Sequence, residues 1–290
     1  MRMSMERTWS ESFGLVRERW IELGAVAVAL SVISVLVAIP LFSMWSGMLQ
    51  PGIDPQVEIA RMSELMPQFM GLSVLVFLAQ LAGYCAMIAV LRPERPSLGN
   101  ALLQGLKGTP TAAISFIFLA IGMYVGIMVV VLVLVAGAVG LGAMQPNPPL
   151  GVIGPVVVLG MLAYIGLLVA MLYFMVRFVT LLPVIVLEGQ YNPFTVVARS
   201  WKLTRNNGWR IFGFFALLWI AIMVVYSTIL LAVGWPVLQS IQEGAMPSVG
   251  AFIPLGILMC AFVIAMAMLR TAVIVSIHRQ LTEETPAEAE

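Results

Sequence analysis

Between Lys107 and Arg177 the chain carries no charged residue, and between Arg210 and Glu243 it again carries none. A water-soluble fold does not accommodate such runs. About a quarter of the residues of an ordinary globular domain are charged, and its surface helices set a polar face against an apolar one. Here only 10% of residues are charged and the mean hydropathy is +1.02. The solvent that suits this chain is hydrocarbon. A helix crosses a bilayer in about 20 apolar residues, so the 69 residues from Gly108 to Val176 must cross twice. Gln145-Pro-Asn-Pro-Pro149 divides them, because proline lacks the helical donor and clashes with the preceding turn. Six spans follow, near residues 21–48, 70–91, 111–141, 152–179, 209–235 and 252–277. The expected fold class is all-α: a polytopic membrane protein with six transmembrane helices in one domain, 1–280, followed by a disordered acidic tail, 281–290. The first apolar run is too long for the core of a cleavable signal peptide, and no small-residue cleavage site follows it.

Charge placement sets the expected orientation, since inner loops carry an excess of Lys and Arg. With the N-terminus inside, the outer loops hold one of the fifteen basic residues, Arg61, beside Asp54, Glu58, Glu64 and Glu243. Both termini are therefore expected to be cytoplasmic, in a bacterial inner membrane.

The inner segments carry a repeated pattern. Thr8-Trp-Ser-Glu11 has the form of a capping box, and Trp9, Phe13, Val16 and Trp20 recur at helical spacing after it. Ser97 can cap a second short helix, with Leu98, Ala101, Leu102 and Gly105 on one face. Asn192 can cap a third, with Pro193 suited to its first position and Phe194, Val197, Ala198 and Trp201 as its apolar stripe. An interfacial helix thus precedes spans one, three and five, and Arg92, Arg177 and Arg270 each follow the apolar, methionine- or aromatic-bearing run of an even span. Three weakly similar units, about 1–92, 93–188 and 189–280, are inferred, each an inner amphipathic helix plus a transmembrane hairpin.

Residues 177–210 concentrate the candidate functional side chains. A third of the basic residues fall there: Arg177, Arg199, Lys202, Arg205 and Arg210. Basic residues beside an apolar face attract anionic lipid, at about 1 kcal/mol each near the surface, although inward topology alone also calls for them. Arg177 and Arg270 sit slightly inside the head-group level, where a charge must snorkel or find a partner. The partner would be a lipid phosphate, or Glu188 in the case of Arg177. Gly122 and Gly126 match the small-residue pattern of packed membrane helices. Beyond Glu22 at the inner edge of the first span, the spans hold no Asp, Glu, Lys or His at depth, and Gln80 is the most polar deep side chain. No Walker loop, zinc-ligand spacing or nucleophile elbow is present. Cys85 and Cys260 lie in apolar runs as small hydrophobes, His278 reads as interfacial, and the methionines read as core filling. No catalytic residue, metal or cofactor is expected, and no basic domain exists for nucleic acid.

Arg177, Pro183 and Glu188, followed by Ala198-Arg-Ser-Trp-Lys-Leu-Thr204 ahead of an aromatic-rich span, resemble the glycerophosphoryl diester phosphodiesterase membrane domain. Arg95-Pro-Ser-Leu-Gly-Asn-Ala-Leu-Leu-Gln-Gly-Leu106 is a weaker echo of the same pattern. The resemblance implies a six-span domain of uncharacterised role, which in some members precedes a soluble catalytic phosphodiesterase domain; the catalytic domain's histidines and acidic metal ligands are not found in this chain. The expected function is a non-enzymatic membrane scaffold or phospholipid-associated module with anionic lipids as partners. The alternative expectation is a transporter or flippase-like protein for small phosphorylated or lipid species.

Overall fold

The computed structural model describes residues 3–48, 55–140, 150–242 and 249–283, and every regular element among them is helical. The proline-rich break at 145–149, the loop residue Glu243 and the last residues of the tail, 284–290, lie outside the described residues. Nine helices are described: α1 (Met5–Glu18), α2 (Trp20–Met48), α3 (Pro55–Val90), α4 (Leu98–Gly140), α5 (Leu150–Arg177), α6 (Leu181–Leu187), α7 (Pro193–Thr204), α8 (Gly208–Gln242) and α9 (Val249–Glu283). Six stretches are long and apolar enough to cross a membrane: α2, α3, α4, α5 with α6, α8 and α9. The six crossings read from the charge-free runs are thus present as helices. α9 continues to Glu283, three residues into the stretch expected to be tail, and buries Leu281.

Two local expectations change in the structure. The N-cap of α1 is Ser4, whose side chain accepts from the Arg7 amide, and Thr8 lies inside the helix rather than capping it. The helix starts one turn earlier because Ser4 already supplies the acceptor that its free amides need. The amphipathic stretch from Ser97 does not end before the third span. It runs unbroken through Pro110 into α4, a single helix of 43 residues. At 1.5 Å per residue that is about 65 Å, twice the ~30 Å hydrocarbon thickness, so its first turns extend beyond the span. The stretch between the first two spans, which carries helical periodicity in the sequence, is helical from Pro55 and continuous with the second span.

Packing is concentrated at one end of the molecule. The core joins the start of α2 (Leu23, Val26, Ala27), the end of α3 (Cys85 to Leu91), the start of α4 (Ala101, Ala112), α6 (Leu181, Val184, Ile185), the start of α8 (Ile211, Phe214) and the end of α9 (Ala272 to Ile277). Toward the other end, α4 beyond Phe118 and α5 before Tyr173 have no buried residue among those described. The N-terminus is bound into the packed end. The Met3 amide donates to Asn207 at 3.2 Å, and the Met3 carbonyl accepts from Arg210 at 3.2 Å. The Ser4 amide donates to Gln280 at 3.3 Å.

The three amphipathic helices share an orientation. α1 buries Thr8 and Ser12 and exposes Trp9 and Phe13. α7 buries Val196, Ser200, Leu203 and Thr204, while Phe194, Ala198 and Trp201 of the expected apolar stripe are exposed. The first turns of α4 bury Ala101 and Gly105 and expose Leu98 and Leu102, so the face read as one is split. In each case small or hydroxyl-bearing residues meet protein, joined on α7 by Val196 and Leu203, while the largest side chains, Trp9, Phe13, Phe194 and Trp201, and Leu98 and Leu102 of α4 point away. Close helix contact in a membrane selects small residues at the interface, since lipid tails offer large apolar side chains an equally good surrounding.

Candidate functional site

α5 ends at Arg177 because the chain turns over Phe178–Thr180 into α6. That leaves the last carbonyls of α5 without helical partners. α7 supplies them: the Ser200 and Thr204 hydroxyls donate to the Arg177 carbonyl at 3.2 and 3.0 Å. Thr180 and Ser200 hydroxyls lie 2.9 Å apart beneath this contact. α7 can reach back because Gly189 takes φ +68° in the turn after α6, and Asn192 then caps α7 by accepting from the Phe194 amide at 3.1 Å. Thr111 on α4 fixes the same turn by donating to the Tyr191 carbonyl at 2.9 Å.

The clamp on its carbonyl holds the Arg177 side chain in an aromatic enclosure. Its guanidinium carbon lies 4.8 Å from the Trp201 ring centre and 5.0 Å from that of Tyr173, and its Nε donates to the Tyr173 hydroxyl at 3.0 Å. Trp209 stacks on Tyr173 with ring centres 5.2 Å apart, and Phe174 and Phe178 pack on Trp201. Gly208 opens α8 directly beside the cation, and a Cβ there would stand 3.4 Å from its guanidinium carbon. Arg177 is 7% exposed, forms no ion pair among the described residues, and leaves its Nη1 buried without a partner. Burying a charge costs several kcal/mol unless it is paired. Cation–π contacts contribute up to about 2 kcal/mol each when desolvated, and the tyrosine bond about as much again. These offset the desolvation in part and leave the positive charge itself uncompensated.

Glu188 does not pair with Arg177. It accepts from Arg199 Nε at 3.1 Å, and its other oxygen stands 3.6 Å from His278 Nε2, beyond hydrogen-bond reach. His278, expected at an interface, is 3% exposed and belongs to the packed end. Lys202 and Arg205 are exposed, with no ion pair among the described residues. Arg270 is exposed on α9 and lies over the Tyr84 ring of α3 at 5.1 Å. Arg92 donates to the Val186 carbonyl. The three arginines that follow even spans therefore have three separate sets of neighbours. Gly122 and Gly126 face open space, with nothing within 4 Å of a Cβ at either, so no packing within this chain is assigned to them. Gln80 donates to the Ser34 hydroxyl.

Reading the sequence did not single out Tyr173, Gly208 or the roles of Ser200 and Thr204. Tyr173 stands four residues before Arg177, a spacing that places both on one helix face, so that pair was within reach. The hydroxyls were not, since their acceptor exists only where α5 happens to end.

Residues 152–290 match the model of a family described as the membrane domain of glycerophosphoryl diester phosphodiesterase. The match takes in the whole clamp, from Arg177 through Thr204 to the start of α8, and agrees with the resemblance read from those residues. No curated protein and no solved structure matches the chain. Taken with six membrane-length apolar helices, the family match identifies an integral, multi-pass membrane protein.

Proposed function

We propose that the chain is a non-enzymatic membrane module that seats the phosphate of an anionic phospholipid against Arg177. One observation carries the reading: a buried arginine with no carboxylate partner and an unpaired Nη1, enclosed by aromatic rings at the head-group end of its helix. Arginine is suited to phosphate because its planar fork of donors matches the oxygens of the anion. Trp201 and Trp209 are both exposed, and a shift of either ring opens the enclosure to a head group. Lys202 and Arg205, exposed on the same helix as Trp201, add longer-range attraction to an anionic surface.

The distribution of Lys and Arg supports an orientation with this end, and both termini, on the cytoplasmic side of the membrane. The shared orientation of the three amphipathic helices supports the three-unit organisation. Native mass spectrometry after release from nanodiscs containing phosphatidylglycerol and phosphatidylcholine tests the lipid reading. The wild type is expected to retain phosphatidylglycerol, and Arg177→Gln to lose most of that retention while keeping its thermal stability. Equal retention by both proteins would remove Arg177 from any role in lipid binding.

A further inference from the structure

A second cationic site lies away from the Arg177 enclosure, where the end of α1, the turn between α3 and α4, and the end of α9 meet. They surround a cavity of about 160 Å³ walled by Arg19, Arg92, Arg95 and Arg279, with Glu18 as its one acidic lining residue. We propose that this cavity binds a phosphomonoester, a dianionic terminal phosphate carried by either a soluble molecule or a lipid head group.

Size points to a small group: small-molecule pockets usually measure about 300–1,000 Å³, whereas this one is about 160 Å³ and partly open. The part of a ligand seated between the arginines is therefore compact, and anything attached to it would extend outward. Charge points the same way: the four arginines outnumber the one glutamate by three. The nearest carboxylates do not occupy their donors, since Arg19–Glu22, Arg95–Glu18 and Arg92–Glu94 stand at 3.7, 3.9 and 4.0 Å. Those distances exceed the 2.7–3.2 Å of a nitrogen–oxygen hydrogen bond. Arg92 Nε is buried with no partner at all. Arg279 is held in place by donating to the Leu91 carbonyl at 2.6 Å. Arg95 adopts φ 51°, the left-handed region that side chains other than glycine rarely enter, immediately before Pro96. A strained residue persists where its surroundings fix it, and here the strained residue carries one of the cavity's charges. A terminal phosphate offers three strong acceptor oxygens and close to two negative charges, which suits several guanidinium groups converging from different elements.

The test uses the full chain purified in detergent and equilibrium dialysis against radiolabelled inorganic phosphate. In parallel, nanodiscs containing phosphatidic acid or phosphatidylglycerol are analysed by native mass spectrometry. Two variants report on the site. Arg95→Gly removes a charge at a backbone angle that glycine prefers, so the fold is preserved and anion binding should fall at least tenfold. Glu18→Gln removes the acidic wall residue and should tighten binding several-fold, which an arginine cluster of purely structural role would not do. On an Arg177→Gln background, Arg95→Gly and Glu18→Gln should have the same effects as in the wild type, which separates the two sites. Saturable binding of inorganic phosphate with this variant pattern assigns a soluble ligand. Retention of phosphatidic acid that follows the same pattern, with phosphatidylglycerol retention unaffected by Arg95→Gly, assigns a lipid one. If neither probe responds to Arg95→Gly and Glu18→Gln, the proposal is overturned.

Discussion

Ser200 and Thr204 both direct their hydroxyls at a single oxygen, the Arg177 carbonyl, and the residues between them divide the remaining tasks. Trp201 covers the guanidinium, Leu203 enters the core and Lys202 stays exposed. The Ser-Trp-Lys-Leu-Thr stretch is thus a fastening for the end of α5, with each residue type fixed by what it touches. A buried acceptor stripped of its donors costs about 1–3 kcal/mol. Combining Ser200→Ala with Thr204→Val is therefore expected to destabilise the protein by about that amount, seen as a lower melting temperature in detergent. Lys202→Ala should stay within about 0.5 kcal/mol of wild type, and a comparable loss there would show that the hydroxyls are not what matters. The letters of this motif were legible in the sequence. Their reason was not, because a hydroxyl's acceptor depends on where another helix stops.

Helices were the most legible elements, and their contacts the least. Length and charge-free runs identify six crossings because the hydrocarbon thickness imposes them. Trp9, Phe13, Phe194 and Trp201 are exposed, as an interfacial helix with its apolar face toward lipid requires; the residues that meet protein were the part the sequence did not reveal. Where lipid is the solvent, Thr8, Ser12, Ala101, Gly105, Ser200 and Thr204 make the contacts, since they let backbones approach. Gly105 is the extreme case. A Cβ there would fall 2.6 Å from the Ala82 carbonyl oxygen and 2.8 Å from the Ala86 nitrogen, both backbone atoms of α3. Gly105→Ala is expected to push α3 and α4 apart and cost about 1–3 kcal/mol, as overpacked interiors do. Gly122→Ala on the same helix meets nothing within 4 Å and should leave stability of the single chain unchanged or slightly higher. Thermal unfolding of the two variants side by side decides the matter, and equal effects would contradict the close crossing at Gly105.

At the scale of the whole molecule, α1 lies along α9 and joins the two ends of the chain. Glu11 mediates the join, accepting from Ser276 at 2.8 Å and from Arg7 at 2.6 Å, while Arg7 also reaches Glu283 at 2.8 Å. Burial is the largest single influence on the Glu11 carboxyl and pushes its pKa up. The hydrogen bonds from Ser276, Arg7 and Gln280, with the Arg7 charge, together draw it below the ordinary 4.5. A carboxylate lowered in this way stabilises the fold fully above its unfolded value and loses that contribution as pH falls through the folded one. Docking of α1 should therefore hold at neutral pH and weaken below pH 4.5, with lower protection factors for the α1 amides once exchange rates are corrected for the pH dependence of intrinsic exchange. Glu11→Gln should flatten the dependence in that window, and an unchanged profile would mean that another group governs it.

The concentration of packing at one end has a consequence for the surrounding bilayer. At the packed end, side chains of six helices meet in one core. Toward the other end, α4 and α5 have no buried residue among those described along most of their length, and their apolar flanks are open to acyl chains. A change in tail length is therefore expected to act on α4 and α5 more than on the packed end.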